Sequence, residues 1–137
     1  MLEAEVRQEI SHYRQLISTN SERITAHNRE LAKLNELLTN LGSVRSKHNT
    51  KLDDKKHRLH LLSTCSVNPK LVGRIYDKTR AVLFSTQCDY ASDGLEIALN
   101  KVKAKIRDVE GEISYLNSNI VNFKSHITYL NGLLTAL

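Results

Sequence analysis

The chain has 137 residues with one Pro, five Gly and no Trp, the size of one domain with little turn-forming material for an all-β sandwich or barrel. Its apolar share of 40% rests on aliphatic residues, with two Phe and five Tyr, a composition suited to helices that each bury a stripe. The net charge of +5 is local: residues 1–42 hold five Lys/Arg against six Asp/Glu, residues 43–80 ten against three, and residues 81–137 five against six.

The first arm carries an apolar residue every seventh position at Ile10, Ile17, Ile24, Leu31, Leu38, Leu52 and Leu59, with Arg45 standing in the gap. A companion row reads Val6, Tyr13, Asn20, His27, Leu34, Leu41, His48, Lys55 and Leu62. Together they form the 3–4 step of a coiled-coil seam. Polar residues in such a seam weaken it but fix register and partner number, and Asn20 and His27 read that way.

Next comes Ser63-Thr64-Cys65-Ser66-Val67-Asn68-Pro69, with the one proline of the chain. Asn68 as N-cap and Pro69 at the first helical position predict a helix start after a turn at 63–68. Beyond the turn, the strict 3–4 row is Leu99, Val102, Ile106, Val109, Ile113, Leu116, Ile120, Phe123, Ile127, Leu130, Leu134 and Leu137. The residues between them are mainly charged or polar, so this arm is apolar on one side and solvated on the other.

These patterns predict an all-α fold, a long antiparallel two-helix hairpin in one domain, with arms near 3–62 and 69–137. At 1.5 Å per residue each arm reaches ~90–100 Å. Residue i is expected opposite roughly residue 131 − i, which brings Gly42 near Asp89 and Gly94 near Leu37. Glycine costs ~1 kcal/mol in a helix, so both are candidate break points; a three- or four-helix bundle folded back there is the alternative.

His57-x-x-His60 with Cys65 nearby is a fragment of a metal-site spacing, but it lacks a fourth partner and reads as solvated histidines. No metal and no cofactor is expected. Cys65 and Cys88 lie too far apart along a hairpin to pair, which fits a reducing compartment. No phosphate loop, nucleophile elbow or carboxylate dyad occurs, so the chain reads as a non-enzyme whose role is binding. No apolar run approaches the ~20 residues of a membrane span, and the N-terminus lacks a signal-peptide pattern; a cytoplasmic location is expected.

Two surfaces are candidates for partners. One is the C-terminal stripe, Leu99, Val102, Ile106, Val109, Ile113, Leu116, Ile120, Phe123, Ile127 and Leu130, as a seat for another long helical protein. The other is a basic tip, Lys51, Lys55, Lys56, Arg58, Arg74 and Lys78, which suits an acidic protein surface or, as a competing class, phosphate backbones.

The pattern Ile97-Ala98-Leu99-x-x-Val102-x-x-x-Ile106-x-x-Val109-Glu110-x-Glu112-Ile113-x-x-Leu116-x-x-x-Ile120, preceded by Gly73 and by Tyr90-Ala91-Ser92-Asp93, resembles the YwqH-like family. Members are small helical hairpins encoded beside LXG-type toxins of the bacterial type VII secretion system. The layout matches along the whole chain and most sharply over residues 71–120. The resemblance implies an adaptor or targeting chaperone for the helical N-terminal domain of such a toxin, with a second small helical partner and export in complex with a partner each left open. The family's Trp-x-Gly turn stands here as Leu71-Val72-Gly73, without the Trp, and the Tyr-x-x-x-Asp/Glu export signature is absent; any export signal then comes from a partner. The competing class is a self-associating coiled-coil scaffold.

Overall fold

A computed structural model describes residues 2–64 and 68–137. The fold is all-α, a helical hairpin of three helices: α1 (Glu3–Ser63), α2 (Pro69–Leu83) and α3 (Thr86–Ala136). The first arm ends where the seam pattern ends. The second arm is interrupted once.

Helix α1 starts at a half-formed capping box, in which the Glu5 carboxylate accepts the Leu2 backbone N–H at 3.0 Å. It then runs 61 residues. It closes on two hydroxyls: Ser63 Oγ donates to the His60 carbonyl at 2.6 Å and Thr64 Oγ1 to the Leu61 carbonyl at 2.8 Å, satisfying acceptors that the helix leaves open. Of the predicted turn, residues 65–67, Cys65 among them, lie outside the described residues.

Asn68 does stand at the head of α2, with Pro69 next, but its φ of 46° and ψ of 72° are left-handed and its side chain makes no capping bond. Its role is conformational. Asn tolerates this backbone region better than other residues with a Cβ, and its carbonyl accepts the Val72 N–H at 3.1 Å as the first bond of the helix. Leu71 and Gly73, expected in the turn, sit in the opening turns of α2, because a helix started by Pro69 already includes them.

The expected break at Gly42 or Gly94 is not found: Gly42 lies inside α1 and Gly94 inside α3. A Cβ built on either meets nothing within 4 Å, so neither serves a close approach; each is a modest propensity cost that a long packed helix absorbs. The interruption is at Phe84–Ser85. Phe84 ends α2 with its N–H on the Arg80 carbonyl at 3.0 Å, and Ser85 donates to Val82 at 3.2 Å. The Ser85 hydroxyl then accepts the Cys88 N–H at 3.3 Å and caps α3.

Contacts group the residues into two units, Met1–Asn35 with Ala104–Leu137, and Glu36–Lys103. In the first, Val6, Ile10 and Leu130 form a buried cluster against which Tyr13, Ile127, Leu133 and Leu134 pack. Ile106, Val109 and Leu116 are also buried in it, together with Asn20. Tyr13 stacks on His126 with ring centroids 5.2 Å apart and meets Phe123 at 5.7 Å. In the second unit, Leu59, Leu83, Leu99 and Val102 are buried.

Candidate functional site

The C-terminal stripe is the hairpin's own interior. Leu99, Val102, Ile106, Val109, Leu116 and Leu130 are buried, and Ile113, Ile120, Phe123 and Ile127 are half-buried. This corrects the expectation of a partner seat. Each arm has one apolar stripe, and antiparallel closure lets the two cover each other, which at ~1.5–3 kcal/mol for each fully buried aliphatic side chain outweighs holding one open. At the far end of the row the pattern does give out: Leu137 is 71% exposed.

Three polar residues of the α1 seam, His27, Arg45 and His48, make cross-arm bonds. In the first unit, His27 Nε2 lies 2.9 Å from a Glu112 carboxylate oxygen while its Nδ1 lies 3.5 Å from Glu30. Lys105 reaches the other Glu30 oxygen at 3.8 Å. In the second unit, Arg45 pairs with Glu96 at 2.7 Å and His48 Nε2 meets the Ser92 hydroxyl at 3.1 Å. The gap at Arg45 is therefore an ion pair flanking the seam. Asn20 is buried, and among the described residues no buried side-chain polar atom is left without a partner.

These pairs also correct the register. Arg45 was expected near residue 86 and meets Glu96; Gly42 was expected near Asp89 and shares a groove with Leu99 and Lys103. The arms are offset from that alignment by eight to ten residues, between two and three helical turns. Aliphatic 3–4 rows pack at more than one alignment, so the rows alone do not fix the register and the polar pairs do.

The basic tip residues belong to the second unit, on α1 and α2. Lys51, Lys55, Arg58, Arg74 and Lys78 are exposed, and Lys56 is half-buried with its ammonium 4.8 Å from the Phe84 ring centroid, a cation–π contact. The 3–4 row places Lys55 in the seam, but at that height Lys56 turns inward and Lys55 faces solvent. Beside the α2–α3 interruption lies an open groove of about 340 Å³ between Lys51, Lys55, Leu52, Val82, Ser85 and Cys88. His57 and His60 are both exposed, and Cys88 is a half-buried free thiol.

Sequence reasoning missed the exposed aliphatic residues of α2: Leu71, Ile75 and Val82 are 53%, 45% and 69% exposed. Their 4- and 7-residue spacing was visible in the sequence, but a second stripe on a short helix cannot be told from the buried one before the neighbours are known. No helix of the described residues is long and apolar enough to cross a membrane. No family model, curated protein or solved structure matches the chain.

Proposed function

We propose that this chain is a non-enzymatic binding module, an adaptor or targeting chaperone for the helical N-terminal domain of an LXG-type toxin in type VII secretion. The observation that carries the binding role is a hairpin that satisfies its own seam and still exposes large apolar side chains on its outer faces, Leu71, Ile75 and Val82 among them. Grouped on one face of a single helix, they form a candidate contact surface. The toxin partner rests on the resemblance over residues 71–120. The family's turn motif is absent in form and position, since Leu71 and Gly73 are helical here.

In this reading the partner docks on the outside of the closed hairpin, with apolar contacts supplying most of the affinity and the basic tip tuning association rate. Co-expression with the product of the neighbouring gene tests it. A stable heterocomplex is expected. Recovery of a well-folded homo-oligomer alone would favour a self-associating scaffold instead, and tight, salt-resistant retention on DNA or RNA would favour nucleic-acid binding.

A further inference from the structure

Helix α2 has two faces with side chains to place. Val72, Gly73, Tyr76, Thr79 and Leu83 are buried or half-buried, the 3–4 step that turns into the unit. A second row, Leu71, Ile75, Lys78 and Val82, has the same step, lies about a third of the circumference away, and is exposed at every position. Arg74 and Lys70 continue the mainly cationic side next to it, where Asp77 is the one acidic residue. Among the described residues, Lys70, Arg74 and Lys78 have no ion-pair or hydrogen-bond partner.

We propose that this row of α2 is a docking face for one amphipathic, acidic helix of another protein. The spacing favours a helix, because residues at i, i+4, i+7 and i+11 are what a helix laid alongside meets. The charge favours an acidic one: the segment 43–80 holds ten basic residues against three acidic, and Lys78 stands within the row itself. A lipid surface would use a broader apolar sector than a row one residue wide with a lysine in it. A phosphate backbone would make no use of Leu71, Ile75 and Val82. Carboxylates flanking the incoming helix's apolar seam would meet Arg74 and Lys78 at the rim, giving orientation and partner choice.

This inference rests on the binding-module reading, but its test needs no toxin domain. The full chain is titrated with two labelled three-heptad peptides, both Leu at the seam, one flanked by Glu and the other by Lys. Vesicles of phosphatidylglycerol and a short DNA duplex serve as competitors. The Glu-flanked peptide is expected to bind and to shift the amide resonances of Lys70–Val82. Ile75→Asp with Val82→Asp is expected to weaken it about tenfold or more with an unchanged urea midpoint. Arg74→Glu with Lys78→Glu, at exposed positions that leave the fold alone, is expected to move the preference to the Lys-flanked peptide. Equal binding of both peptides, binding of neither, or displacement by vesicles or duplex at lower concentration would overturn the proposal. If it fails while the co-expressed heterocomplex forms, the binding-module reading stands and its surface lies elsewhere.

Discussion

The His27 imidazole lies 2.9 Å from the Glu112 carboxylate across the hairpin, joining a polar seam position of α1 to a charged flank of α3. Glu112 is half open to water, so the pair is worth little in stability, ~0.5 kcal/mol. Its value is in register, since the aliphatic rows alone pack at more than one alignment. A double-mutant cycle of His27→Ala and Glu112→Gln should give a coupling of that size from urea midpoints. Adding Arg45→Ala and His48→Ala should then let cross-links form one heptad out of register at near-unchanged helicity.

The buried stripe predicts an asymmetry between neighbours. Leu116 is 2% exposed and Tyr115 67%. Leu116→Ala should cost ~2–5 kcal/mol and Tyr115→Ala under about 0.5 kcal/mol, read by chemical denaturation of the isolated protein. Polar substitutions at Ile113, Leu116, Ile120 or Phe123 should likewise lower stability in the absence of any partner.

Asn68 supplies a backbone test. With φ at 46°, Asn68→Ala should destabilise by ~1 kcal/mol and Asn68→Gly should not. Both are read from the urea midpoint, and Asn68→Asp, which shares asparagine's tolerance of this backbone region, should cost less than alanine.

At the interruption, Ser85→Ala removes the hydroxyl that accepts the Cys88 N–H. A loss of ~1 kcal/mol is expected, together with faster amide exchange at Cys88 and no change in the α1 amides.

Much of the fold could be read directly. The seam of α1 is half-buried or buried at all but one of the predicted positions, including polar Asn20, His27 and His48, because a 3–4 apolar step leaves a helix one way to pack. The α2 start was legible in Asn68-Pro69. The interruption was not, because the only signal is a Ser85-Thr86 pair, residues that favour caps but are tolerated inside helices, and no Pro or Gly marks the place. The role assigned to the C-terminal stripe was misread for a plainer reason. A sticky face looks the same in sequence whether it meets a foreign helix or the chain's own first arm.

In the proposed complex a partner helix docks on the outside of a hairpin whose seam stays closed. Co-purification of the neighbouring gene's product with Ile75→Asp/Val82→Asp and with Leu116→Ala, each alongside a urea denaturation of the free variant, decides between the outer face of α2 and the seam as the docking surface. The α2 variant is expected to keep the parent midpoint and lose the complex, while Leu116→Ala lowers the midpoint and still binds under conditions where it is folded. A complex that survives the α2 changes and is lost in the folded Leu116→Ala protein would contradict it, since the partner would then be reading the seam.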